Sequence, residues 1–217
     1  MATMVIKCIL DLFKRKKDET KKSESISTSF SLSQYNVVAK WLTGPGIESM
    51  YDSKAEIPGK CPKCHSRLEM IPVLDYYVPK KKGDLFYTDD AYCIVSEKFK
   101  FFCESYNYAH LKFVKLNKCE YYYFEPIDLF RIYIHKYPFN QLGKYCDMCN
   151  TYDEVCGGVL KEKDYILTSD DFILRTDIYR GSYEYKGLDI IVGLQTERKM
   201  KEYGLLSLIH IWRCRRA

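Results

Sequence analysis

The chain has 217 residues, 47% of them hydrophobic and 29% charged, with ten cysteines, twenty tyrosines and a formal charge of +5. That charge sits at the ends: residues 1–30 carry seven Lys/Arg against four Asp/Glu and residues 206–217 carry three Arg, so residues 31–205 keep −1 from 24 basic and 25 acidic side chains. The balance removes the main electrostatic argument for nucleic-acid binding, which needs a net basic surface or a clustered patch, while about 175 residues suffice for one large domain or two small lobes with a real core.

In chain order, Met4 to Lys17 (MVIKCILDLFKRKK) joins a short apolar stretch to a Lys/Arg cluster, and a polar run follows to about Ser33. A signal peptide has the opposite order, with its positive charge before a longer apolar segment. A membrane-spanning helix needs about 20 apolar residues. Residues 1–33 are therefore read as a mobile leader, and the protein as cytoplasmic. The alternative for residues 4–17 is a weak membrane-surface helix, with Val5, Ile6, Ile9, Leu10, Leu12 and Phe13 on one face.

Residues 34–125 read as a first α+β lobe. Met70 to Val78 is a strand candidate ended by Pro79 and the solvated Lys80-Lys81-Lys82 run. Tyr92 to Val95 reads as a buried strand, and Ser96 as the N-cap of a helix through about Tyr106 whose Phe99, Phe102, Cys103 and Tyr106 share one face. Asn107 suits the helix end, Leu111 to Leu116 alternates as a half-buried strand, and Tyr121 to Phe124 continues the β pattern to Pro126.

Residues 126–205 read as a second lobe related to the first by an offset of 97 residues: Ile191, Val192, Gly193 and Tyr203 fall opposite Ile94, Val95, Ser96 and Tyr106, with Thr196 and Met200 opposite Phe99 and Cys103. The last twelve residues, Leu206 to Ala217, read as translated sequencing-adapter sequence in a code where UGA means tryptophan. On that reading the second lobe is truncated, and its sheet lacks the strand that would mirror Leu111 to Leu116. The expected fold class is α+β: two related strand–helix–strand lobes with mixed or antiparallel sheets, joined by a four-cysteine zinc-knuckle site.

That site is Cys61-Pro-Lys-Cys64 and Cys146-Asp-Met-Cys149. Each pair lets two thiolates reach one ion from a tight turn, and together they complete the four-sulfur tetrahedron of a closed structural zinc site. The long separation is no objection. Closing about 80 residues rather than about 20 costs only ~1.2 kcal/mol more, against about 10–16 kcal/mol for structural zinc in small peptides. Disulfides, free thiols and a redox role are the alternatives. The redox reading is weak because Cys61 follows a Pro58-Gly59 turn rather than a strand. His65 could replace a ligand of the first pair, and Cys119 or Cys156 one of the second.

No catalytic constellation stands out, so the chain is not read as an enzyme. His110 and His135 are isolated, and Asp89-Asp90 and Asp170-Asp171 adjoin turns where carboxylates cap backbone amides. Gly157-Gly158 is too short for a phosphate loop, and no GxxxxGK[ST], HExxH or GxSxG string occurs.

The order CPKC at 61–64, Ile94-Val95-Ser96-Glu97-Lys98-Phe99-Lys100, the Tyr121 to Phe124 strand, CDMC at 146–149, Asp177-Ile178-Tyr179-Arg180 and then Ile190-Ile191-Val192 resembles the double-CxxCG family of bacterial immunity proteins, over roughly residues 58–205. The resemblance implies a protein that neutralises a sibling cell's toxin by binding the toxin domain, with zinc holding the scaffold and no nucleic acid involved. The sequence departs from the pattern where a glycine should follow each pair: His65 and Asn150 stand there. Asparagine tolerates a left-handed backbone better than histidine, so a distorted first knuckle, or coordination by His65, is expected. The runner-up is a zinc-ribbon module that binds nucleic acid or scaffolds a complex, using Lys60, Lys63, Arg67 and Lys144. A thiol oxidoreductase is the third class.

Overall fold

A computed structural model of the protein describes residues 37–52, 55–79, 83–135, 140–205 and the backbone of 211–216. The leader at 1–33, with its membrane-surface alternative at 4–17, and Lys80 to Lys82 lie outside the described residues. The described residues form one compact unit. Its first half contains β1 (Val37–Leu42), β2 (Gly46–Ile47), β3 (Leu85–Thr88), β4 (Cys93–Ser96), α1 (Glu97–Ser105), β5 (Leu111–Lys115) and β6 (Tyr121–Pro126). There follow β7 (Leu129–Phe130), β8 (Gln141–Leu142), β9 (Tyr145–Cys146), β10 (Thr151–Tyr152), β11 (Glu154–Cys156) and β12 (Leu160–Lys161). The last elements are β13 (Ile173–Thr176), β14 (Gly181–Ser182), β15 (Ile190–Gly193), α2 (Leu194–Glu202) and β16 (Ile211–Arg216). The class is α+β and strand-rich. No helix among the described residues is long and apolar enough to cross a membrane.

Two large sheets carry the fold. One runs β2-β3-β4-β6-β5, with β2 parallel to β3 and the other neighbours antiparallel. The other runs β7-β13-β15-β1-β16-β12, with β7 parallel to β13, then antiparallel neighbours through β16, and β12 added in parallel. Omitting β12, the two orders correspond in direction strand by strand, with β1 standing where β6 stands in the first sheet.

Period-2 alternation explains how β4 and β15 fit. Cys93, Val95, Ile190 and Val192 face a core shared with Phe99, Phe102, Cys103 and Met200 of the helices and with Leu42, Leu85 and Phe124. Ile94 faces the opposite way, into a cluster with Met50, Met70, Val78 and Tyr92, and Ile191 likewise packs with Ala39, Phe130, Val155 and Val159. Strands buried on both faces read as continuous apolar runs. Each such side chain contributes about 1.5–3 kcal/mol on burial, so the shared core joins the two sheets firmly.

Both helices start where the sequence indicates, by different means. Ser96 accepts the Phe99 N–H at 3.2 Å. Gly193 offers α2 no such cap, because a Cβ there would come within 2.0 Å of the Asp170 carbonyl oxygen. Asn107 ends α1 in the left-handed region at φ 56. Tyr106 is exposed rather than on the buried face, yet its ring packs at a tilt against Phe102, centroids 5.0 Å apart.

Three expectations need revision. Met70 to Val78 is not a strand: Pro72 lacks a donor, Tyr76 N–H bonds back to the Val73 carbonyl at 3.1 Å, and the segment instead lays Met70 and Val78 over the first sheet. The segment at 34–125 is not confined to one sheet, since β1 joins the second, pairing Leu42 with Ile190. Where an open edge was expected, residues 211–216 form a strand antiparallel to β1, with Trp41 opposite Trp212. A ladder uses backbone groups alone, so an open edge accepts any extended segment.

Candidate metal centre

The two Cys-x-x-Cys turns are built alike. In the first, Lys60 bridges Arg67 and the Cys61 N–H donates to the Ser66 carbonyl at 2.8 Å. In the second, β9 and β10 pair Cys146 with Thr151. Each hairpin thus closes five residues beyond its first cysteine, and the residue after each second cysteine takes up the left-handed backbone: His65 at φ 58 and Asn150 at φ 52. The expected distortion of the first knuckle is absent. His65 adopts the conformation a glycine would supply, held by its N–H to the Cys61 carbonyl at 2.9 Å.

The fold brings all four predicted ligands together. Cys61 and Cys146 Sγ lie 4.0 Å apart, Cys64 and Cys149 Sγ 3.6 Å apart, and all four sulfurs fall within 4.8 Å of one another. Zinc–sulfur bonds of about 2.3 Å put the edges of an ideal tetrahedron near ~3.8 Å, so the donor set fits a four-sulfur metal site. Among the described residues this group comprises those four side chains and not His65. Cys119 lies elsewhere, 4.0 Å from the Tyr76 carbonyl oxygen, and Cys156 turns to Glu154 at 3.5 Å. Cys61 and Cys146 are buried; Cys64 and Cys149 are half-buried.

The thiols are poised unequally. Burial alone would raise Cys64, but hydrogen bonds from the Ser66 hydroxyl and N–H, and from Cys149 and Cys146, bring it down to about 6. Burial, then contacts with the Cys64, Cys146 and Cys61 thiols, push Cys149 up to about 12. A sulfur that already receives protons from its neighbours is one that a cation can bind in their place.

A third segment clasps both turns, and nothing in its sequence announced it. Tyr183–Tyr185 form a 3-10 turn after β14. The Tyr183 N–H donates to the Asp153 carbonyl at 2.8 Å while its own carbonyl accepts the Arg67 N–H at 3.2 Å. Ser66 Oγ reaches the Tyr152 carbonyl at 3.5 Å, and Lys186 Nζ donates to that same oxygen. Lys63 and Asp147 form an ion pair between the turn tips.

The remaining candidates serve local structure. Asp90 caps the Met50 and Tyr51 amides at 2.8 and 3.0 Å. His110 pairs with Asp128 at 3.0 Å on the surface, and His135 packs edge-on against Tyr152, with ring centroids 6.0 Å apart. Fold and site together define a strand-rich α+β protein organised around a closed four-cysteine cluster. No family model matches the chain, and no curated protein matches it.

Proposed function

We propose that Cys61, Cys64, Cys146 and Cys149 hold one structural zinc ion, and that the protein is a cytoplasmic immunity protein that binds and neutralises a cognate bacterial toxin domain. The observation that carries this reading is the closed character of the cluster. Four thiols turned on one another fill a tetrahedral ion's coordination positions, leaving none for a substrate. Around them the turns and clasp expose Leu68, Tyr145, Met148, Tyr183 and Tyr185, at 44 to 59% of their surface. Tyrosine and methionine are enriched at protein interfaces, and the motif order resembling the double-CxxCG family points to a toxin as the partner. The matching order of the two sheets supports two related lobes, one built on β2 to β6 and the other on β7, β13, β15 and β16 together with β1.

The nucleic-acid reading has less support. Of its four cations, Arg67 is buried, and Lys63 and Lys60 are engaged by Asp147 and Glu56. An oxidoreductase would need one exposed, reactive pair, whereas here the pairs face each other. The decisive experiment co-expresses the protein with the C-terminal domain of a toxin encoded beside its gene. Restored growth together with a stable complex is expected. Neither rescue nor binding would remove the immunity reading for that pair.

A further inference from the structure

The four clustered cysteines are free thiols, and the short sulfur contacts among them run from turn to turn: Cys64 to Cys149 at 3.6 Å and Cys61 to Cys146 at 4.0 Å. The two contacts differ in access. Cys61 is 0% and Cys146 4% exposed, whereas Cys64 and Cys149 are half-buried and within reach of a small solute. They differ in freedom as well. The inner pair is built into the hairpin bases, through the Cys61 N–H bond to the Ser66 carbonyl and the pairing of Cys146 with Thr151. Cys64 and Cys149 follow the turn tips, which are joined by the ion pair of Lys63 and Asp147. Those two side chains are 53 and 77% exposed, and exposed ion pairs resist little movement. A disulfide needs about 2.05 Å between its sulfurs, so the outer pair has ~1.5 Å to close and the inner pair ~2 Å.

We infer that Cys64 and Cys149 are a redox-modification site: a hydroperoxide oxidises them to a disulfide that fastens the two turns to each other when no ion does. The inference stands on the access and spacing of the sulfurs, apart from the metal reading. One of the two sulfurs attacks the peroxide, an S–O bond forming as the O–O bond breaks and hydroxide leaves. The other displaces that oxygen, an S–S bond forming as the S–O bond breaks, and the thiol protons leave with the two oxygens as water. The cysteines lose two electrons and the peroxide gains them. The product links residues 85 positions apart, so it restricts the unfolded chain strongly. Bonds within a turn, Cys61 to Cys64 or Cys146 to Cys149, are the competing products; they would close very short loops and leave the turns unjoined. In a compartment that keeps thiols reduced, such a bond forms transiently in answer to oxidant. The reaction is stoichiometric and turns over no substrate.

The test treats the reduced, chelator-stripped full chain with hydrogen peroxide, alkylates the remaining thiols in denaturant and maps tryptic peptides by mass spectrometry without reduction. Cleavage after Lys60, Lys63, Arg67, Lys144 and Lys161 leaves Cys61 on one peptide, Cys64 on a second, and Cys146, Cys149 and Cys156 together on a third. The expected product joins the Cys64 peptide to the third through Cys149, located by fragment ions, with Cys61, Cys146 and Cys156 alkylated. The oxidised metal-free chain should also melt at a higher temperature than the reduced one, and a dithiol reductant should reverse that shift. Cys64→Ser and Cys149→Ser should each abolish the cross-link and the shift, while the map of the parent chain depends on neither variant folding. A bond within either turn, a cross-link through Cys61 or Cys156, or no disulfide at all would overturn the inference. A Cys64–Cys149 bond that left melting unchanged would overturn the fastening role. Zinc analysis of the reduced chain before stripping tests the metal reading separately: a chain that holds no zinc yet forms the bond loses that reading and keeps this one.

Discussion

At the residue scale, the positions that matter most are those where a side chain is held against its own preference. His65 and Asn150 both occupy left-handed backbone, which costs a non-glycine residue roughly 1–2 kcal/mol and asparagine less. His65→Gly should therefore stabilise the protein by about 1 kcal/mol, and Asn150→Gly by less, as read from denaturant midpoints. A lower midpoint for His65→Gly would mean that the imidazole makes a contribution beyond its backbone. Cys61→Ser should act in the opposite sense, removing a buried ligand and lowering both metal content and melting temperature. Loss of function with metal content and melting unchanged would show that the thiol has a chemical role rather than a stapling one. The four cysteines were legible because metal chemistry fixes residue type and spacing together. The clasp was not, since Tyr183 and Lys186 carry no pattern until the chain folds them against Arg67, Asp153 and Tyr152, distant in sequence.

Among the secondary-structure elements, α1 and α2 show how far local pattern reaches. A serine cap and apolar spacing located α1 within a residue, whereas α2 was placed only by its offset from α1, and Gly193 declared its need only through the Asp170 carbonyl packed against it. The second helix is tied down by Asp171, which accepts from Tyr108 at 2.6 Å, from Thr196 at 3.0 Å and from Lys199. Burial would raise this carboxyl, but the bonds from Lys199, Tyr108 and Thr196 outweigh it and hold it below its ordinary 3.8. The sign follows: a depressed carboxyl stabilises the fold fully above its ordinary value, and that contribution fades as pH falls through the lower folded value. Asp171→Asn should cost about 1.5–3 kcal/mol near neutral pH and flatten the loss of stability below pH ~4. Equal acid sensitivity in both proteins would assign that limb to other carboxylates. Met70 to Val78 misled for a related reason: apolar β-branched and aromatic residues suit any buried surface, and Pro72 with the side-chain acceptors nearby chose an irregular strap.

Across the whole molecule, the two turns sit on straps that cover the outer faces of different sheets, and the cysteine cluster is where those straps meet. Removing the metal should therefore lower the melting temperature of the entire unit rather than loosen one knuckle. The measurement is a thermal scan with and without chelator, and an unchanged transition would show that the shared core alone sets stability. The sequence by itself determined the four clustered cysteines, the first helix and the doubly buried strand before it, because each follows from spacing along a few neighbouring residues. Tertiary structure alone decided that β1 crosses to the second sheet, that residues 211–216 pair along it, and that the clasp ties the two turns together. Backbone ladders and buried charges take their partners from whatever the fold brings near, and that proximity is not written in any local pattern.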